Sequence, residues 1–144
     1  MNERLKSLYK TVILEHNKTP FFYEKNEKAT YVLKAYNQIC GDRFELYFDL
    51  KEGVIENLTF HGFGCAISKA SSSVLTKNLI GKTLEEALLL GQQFLSVTDE
   101  NSLNVGGKFE EEFEAFSAAK DFPGRLKCAT LAWDEMIKFL EEKS

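Results

Sequence analysis

Three features of the sequence predict an α+β fold: a small three-stranded antiparallel sheet with about five helices packed on one face. Apolar residues alternate with polar ones between Tyr31 and Phe60, short turns separate the stretches so marked, and from Cys65 onwards the period becomes helical. The chain has 144 residues, 44% of them apolar and 28% charged, which suits one domain spanning residues 1–144 and excludes disordered, collagen-like and coiled-coil classes.

Leu5, Leu8, Val12 and Ile13 recur near a helical spacing with charged residues between them, so a first amphipathic helix is expected to finish before Pro20. Residues 18–28 have the composition of a loop. Tyr31, Leu33 and Ala35 then alternate with Val32, Lys34 and Tyr36, and Phe44, Leu46, Phe48 and Leu50 alternate with Glu45, Tyr47 and Asp49. After the turn Lys51-Glu52-Gly53, a third strand runs from Val54 to Phe60. Such short connections join antiparallel neighbours. Ile67, Ala70, Val74 and Leu75 share a helical face that Gly81 ends. Thr83 and Glu86 form a capping box for the next helix, which carries Leu84, Ala87, Leu88, Phe94 and Leu95. Residues 96–108, with Asn101, Asn104, Gly106 and Gly107, read as the longest irregular connection. A short helix with Phe109, Phe113 and Phe116 as core residues follows. The break Asp121-Phe122-Pro123-Gly124 leads into a last helix with Leu126, Trp133, Ile137 and Leu140 on one stripe.

The net charge of −4, from 18 basic and 22 acidic residues, gives no electrostatic footprint for nucleic acid. No apolar stretch approaches the ~18–20 residues that cross a bilayer, and the opening MNERLKSLYK lacks the apolar centre of a signal peptide. A soluble, cytoplasmic protein without a membrane partner is expected. A chain of this length builds a core without staples, so a bound metal is expected to serve function rather than folding.

Three cysteines, far apart and odd in number, argue for reduced thiols: inert core residues, nucleophiles or metal ligands. Cys40 ends a strand in Ile39-Cys40-Gly41-Asp42, where the glycine permits a tight turn that lets Asp42 point the same way. Cys65 opens a helix, where the positive end of the dipole favours thiolate. Cys128 lies near the start of the last helix, beside Lys127 and one turn after Arg125. Three thiolates and a carboxylate suit tetrahedral Zn²⁺ or cluster iron. No local pair has the C-x₂-C form, so spacing alone leaves three buried core cysteines as an alternative. His61, four residues before Cys65, is weighed as a further ligand against a surface or supporting role. His16 is expected as a cation at a helix end without a functional part. Ser71 to Ser73 lack a histidine base or a G-x-S-x-G elbow, so close helix packing accounts for them better than nucleophilic chemistry. Glu110-Glu111-Glu112 reads as a solvated face.

Cys40-Gly41-Asp42, then Gly62-Phe63-Gly64-Cys65-Ala66-Ile67-Ser68 with Ala70-Ser71-Ser72-Ser73, then Arg125-Leu126-Lys127-Cys128-Ala129-Thr130-Leu131-Ala132-Trp133, resemble the NifU N-terminal/IscU family in order and spacing over nearly the whole chain. The resemblance is closer to the SufU type: Lys127 stands where IscU scaffolds carry a histidine, and Asp121-Phe122-Pro123-Gly124 replaces their Leu-Pro-Pro-Val-Lys chaperone motif. Residues 96–120 look like the additional segment of SufU-like proteins. The resemblance implies a SufE/NifU-like fold and an iron–sulfur cluster assembly protein that accepts persulfide sulfur from a cysteine desulfurase and passes it to a downstream scaffold or apo-protein. It also implies Zn²⁺ bound by Cys40, Asp42, Cys65 and Cys128, with Cys40 as persulfide acceptor. Arg125 would hold the thiolate or its persulfide by charge. The alternative is a scaffold that builds a [2Fe–2S] cluster on the same ligands. A thiol enzyme using Cys65 as nucleophile is the remaining reading.

Overall fold

The computed structural model describes residues 3–39, 41–98 and 111–143. Helix α1 (Glu3–Lys18) turns Tyr9, Val12 and His16 inward at the helical spacing, and stops before Pro20. Three strands follow, β1 (Tyr31–Asn37), β2 (Asp42–Lys51) and β3 (Val54–Phe63), paired antiparallel in the order β1-β2-β3. Then come α2 (Ala66–Leu79), α3 (Leu84–Thr98), the short α4 (Glu111–Phe116) and α5 (Leu126–Lys143). Two 3₁₀ turns, Ser117–Asp121 and Pro123–Arg125, occupy the expected break before α5.

One sheet face is apolar by alternation: Ala35 on β1, Phe44, Leu46 and Phe48 on β2, and Ile55, Leu58 and Phe60 on β3 are fully buried. Ile55 and Leu58 are three apart, a spacing that a regular strand would send to opposite faces. The register between β2 and β3 shifts between Tyr47 and Asp49, opposite Asn57 in the left-handed region (φ 55°). That extra residue is a bulge, and it returns Ile55 to the core face. Asn57 suits the conformation, and its side-chain amide donates to Asp49 across the hairpin at 3.0 Å.

Helices α2 and α5 lie on this face, α3 packs on α5, α1 packs on α2, and α4 packs on α1 and α3. The centre is aromatic: Phe94 stacks flat on Trp133 at 4.3 Å and Phe113 meets the same indole edge-on at 5.4 Å. The Thr83–Glu86 capping box forms in both directions, at 3.0 and 3.1 Å.

Two strand limits differ from the sequence reading. β3 continues past Phe60 to Phe63, because Gly62 and its neighbours still pair with Arg43 and Phe44. β1 stops at Asn37, which pairs with Asp42, and Gln38, Ile39 and Gly41 are turn residues rather than strand. Cys40, Phe109, Glu110 and the expected irregular connection from residue 99 onwards lie outside the described residues. No helix among the described residues is long and apolar enough to cross a membrane.

Candidate metal centre

Asp42 is the first residue of β2 and is fully buried. Its Oδ1 accepts the backbone N–H of Cys65 at 2.8 Å, and its Oδ2 accepts the hydroxyl of Ser68 at 2.7 Å. Cys65 caps the N-terminus of α2 from an extended conformation (φ −69°, ψ 163°), its sulfur accepting the N–H of Ser68 at 3.4 Å. Capping normally falls to an oxygen side chain; here a sulfur fills the role and is thereby aimed at Asp42, 3.9 Å from its Oδ2. Cys128, in the first turn of α5 and 1% exposed, completes the group. One ligand atom from each of Asp42, Cys65 and Cys128 lies within 4.8 Å of the others.

The glycines on either side of Phe63 make this approach possible. A Cβ on Gly64 would stand 2.5 Å from Asp42 Oδ1 and 2.7 Å from the Phe44 ring. A Cβ on Gly62 (φ +144°) would stand 2.0 Å from the Arg43 carbonyl oxygen. Gly64→Ala is therefore expected to displace the Asp42 carboxylate. It should cost about 1–3 kcal/mol of stability and roughly 10–100-fold in affinity for a divalent metal ion, read by urea titration and by competition with a chelator. Unchanged affinity would show that the close approach does not serve the metal.

The donor set fits a thiophilic divalent cation. Bond lengths of about 2.3 Å to sulfur and 2.0–2.2 Å to oxygen put tetrahedral ligand atoms roughly 3.5–3.8 Å apart, and the Asp42–Cys65 separation of 3.9 Å is already close to that. Asp42 takes part in none of the ion pairs among the described residues. A buried carboxylate held only by neutral donors leaves a negative charge that a cation would neutralise.

The other residues singled out by sequence fall in different places. Arg125 is exposed at the end of the 3₁₀ turn before α5, three residues ahead of Cys128, its N–H bonded to Phe122 O at 2.7 Å. His61 pairs with Glu45 across the sheet and lies 4.8 Å from the Tyr23 ring, outside the Asp42–Cys65–Cys128 group. Ser71 and Ser72 bond backbone carbonyls of Ala129 and Ser68, in keeping with helix packing.

His16, Ser73 and Glu112 require a correction. His16 is 2% exposed and holds two side chains from other helices: its Nδ1 bonds Ser73 Oγ at 2.6 Å and its Nε2 bonds the Glu112 carboxylate. Ser73 thus does have a histidine partner, and it also accepts the Phe21 N–H at 2.8 Å. Glu112 leaves the solvated face to bridge His16 and Lys77, the latter at 2.9 Å. These residues are 57 and 96 positions from His16, beyond any local pattern. The serine is fully buried between His16 of α1 and the Phe21 N–H, and His16 carries the link on to Glu112 of α4, so the three residues form a clamp and Ser73 is no nucleophile. Burial pushes the Glu112 carboxyl up, but hydrogen bonds and charge from His16 and Lys77 outweigh it and leave it below its ordinary value of 4.5. A depressed carboxyl stabilises the fold fully above its unfolded value and loses that contribution as pH falls through the folded one. Glu112→Gln should thus be about 1–2 kcal/mol less stable than the parent at pH 7, with the gap closing below about pH 4.5. Urea midpoints across that range measure it; a gap constant with pH would remove the carboxylate from the clamp.

Fold and site together define a class: α+β domains in which a strand start and two helix starts bring a carboxylate and thiols to one point. The model of the NifU-like N terminal domain matches residues 8–138, and the chain belongs to that family. It is 34% identical over 144 residues to the zinc-dependent sulfurtransferase SufU of Bacillus subtilis, covering 95% of this chain and 92% of that protein. It is 37% identical over 141 residues to the iron–sulfur cluster assembly scaffold protein IscU of Streptococcus pyogenes, covering 98% and 87%. Among solved structures, a protein of Fervidobacterium islandicum described as an iron–sulfur cluster assembly scaffold for the SUF system superposes with a TM-score of 0.75 at 33% identity, over 90% of this chain and 94% of that one.

Sequence reasoning missed Ser68, which braces both Asp42 and Cys65. The signal was present: a serine three residues after a helix-capping cysteine sits where cap and third residue bond one another.

Proposed function

We propose that the chain is an iron–sulfur cluster assembly protein that binds zinc through Cys40, Asp42, Cys65 and Cys128 and carries persulfide sulfur from a cysteine desulfurase, working in the cytoplasm. The observation that carries this reading is the buried Asp42 carboxylate, unpaired by any cation among the described residues and facing two cysteine sulfurs. The Bacillus relative named as a zinc-dependent sulfurtransferase supports it over nearly the full length of both chains.

Zinc, when bound, would keep its thiol ligands ionised and guard them against oxidation. The protein's own part is positional. Asp42 is locked by Cys65 N–H and Ser68, and Cys65 and Cys128 are anchored at the starts of α2 and α5. The residues flanking Cys40 differ in kind: Ile39 is 89% exposed, and Gly41 has φ +74°. A partner can therefore approach the Cys40 turn without disturbing the core. The Cys40 thiolate attacks the outer sulfur of the desulfurase persulfide; a new S–S bond forms on Cys40, the old one breaks, and the desulfurase leaves as its own thiolate. Arg125 supplies positive charge near the start of α5 for the resulting persulfide anion.

Mixing the protein with its desulfurase and cysteine, then mapping a gain of about 32 Da by mass spectrometry, tests this. The gain is expected on Cys40. A label on Cys128 alone would transfer the acceptor role there, and no label at all would remove the sulfur-carrying function.

A second reading, a scaffold that assembles [2Fe–2S] on the same residues, is favoured by the Streptococcus relative named as such a scaffold. Lys127 counts against it, because it places no imidazole next to Cys128. Protein from iron-replete cells would be brown with iron and sulfide under this reading, and colourless with zinc under the first.

A further inference from the structure

Four serines of α2 are buried: Ser68, Ser71, Ser72 and Ser73. A buried hydroxyl is costly unless it is hydrogen-bonded, so the partner of each shows what the side chain does there. Ser71 and Ser72 bond backbone carbonyls, and Ser73 bonds His16. Ser68 differs. Its hydroxyl donates to Asp42 Oδ2 at 2.7 Å, and the same oxygen lies 3.3 Å from Cys65 Sγ. Those two atoms are 3.9 Å apart, so Ser68 Oγ closes a triangle on one side of the edge that joins them.

The two oxygens of the Asp42 carboxylate have different surroundings. Oδ1 accepts the Cys65 N–H at 2.8 Å and faces backbone, since a Cβ on Gly64 would stand 2.5 Å from it. Oδ2 faces the Cys65 sulfur. A donor on each oxygen fixes the rotation of the carboxylate plane, which one donor alone would leave free to pivot.

We propose that Asp42 ligates the metal through Oδ2 alone, and that Ser68 is the positioning residue that keeps it a one-oxygen ligand. The proposal rests on the metal-site reading above. A carboxylate oxygen has two lone pairs. The Ser68 hydroxyl takes one on Oδ2 and leaves the other for the ion, while Oδ1 stays on the Cys65 N–H. The carboxylate thus supplies a single donor beside the thiol ligands, as a four-coordinate site requires. Without the hydroxyl, the carboxylate swings about its remaining bond to the Cys65 N–H and brings both oxygens to the ion. Groups that hydrogen-bond metal ligands set their direction in this way.

Ser68→Ala removes the hydroxyl and keeps the helix. Ser72→Ala, one turn further on, removes a hydroxyl that serves only a backbone carbonyl. The probe is Co²⁺ on the full chain. Chelator competition gives its affinity, and absorption gives the sulfur-to-cobalt charge-transfer band and the visible d–d bands. Those d–d bands are strong at a tetrahedral ion and weaken as the coordination number rises. Ser68→Ala is expected to bind Co²⁺ about 10-fold more weakly and, at saturation, to show weaker d–d absorption with the sulfur band retained. Ser72→Ala should keep the parent's affinity and spectrum. Parent protein that fails to bind Co²⁺, or shows no sulfur band, overturns the metal-site reading itself. Parent-like d–d absorption in saturated Ser68→Ala overturns the Ser68 role alone, whatever the affinity. The same spectral change in Ser72→Ala also overturns it. So does a metal-free Ser68→Ala protein that fails to fold, which would make the hydroxyl a support of the fold.

Discussion

Asp42→Ala and Asp42→Asn are both expected to lower zinc affinity by more than about 100-fold, because loss of even a supporting partner costs a metal site roughly 10–100-fold. The pair of variants separates charge from shape. Asparagine keeps the outline of the carboxylate and an acceptor for the Cys65 N–H or the Ser68 hydroxyl, which Asp42 now bonds at 2.8 and 2.7 Å. Alanine leaves both donors without it, at about 1–3 kcal/mol for each buried group. Both variants also remove a buried negative charge from the metal-free protein, which offsets part of that loss. Each should fold at room temperature, Asp42→Asn more stably, and each should bind zinc poorly. Chelator competition and thermal melts with and without zinc provide the readout. Zinc affinity retained in Asp42→Asn would take the carboxylate out of the ligand set.

The largest effect on stability is expected at Trp133, in the aromatic centre of the core. Its indole is fully buried, stacked on Phe94 at 4.3 Å, met by Phe113 at 5.4 Å, and bonded through Nε1 to the Ser71 carbonyl at 3.3 Å. Trp133→Ala should cost about 3–5 kcal/mol through lost burial and a cavity that rigid helices cannot close. Domains of this size have only about 5–15 kcal/mol in total. The urea midpoint should fall steeply with little change in slope. A loss below about 1 kcal/mol would mean that the centre repacks around the gap, contrary to the interlocked rings described here.

Much of the site was readable because each part is local. Cys65 announces itself by opening a helix after Gly62-Phe63-Gly64, Cys128 by its place at the start of α5, and Asp42 by following Gly41 into a strand. Alternation placed the core face of β2, since every second residue from Phe44 to Phe48 is buried. The bulge at Asn57 was not read, although two apolar residues three apart in a strand, Ile55 and Leu58, are its mark. The His16–Ser73–Glu112 clamp could not be read, because its members come from three helices and no spacing rule links them.

X-ray absorption at the zinc edge, on the full chain loaded with one equivalent of zinc, tests the central claim most directly. A site of Cys40, Asp42, Cys65 and Cys128 predicts three sulfur scatterers at about 2.3 Å and one oxygen at about 2.0–2.2 Å. A shell of nitrogen and oxygen alone would contradict it.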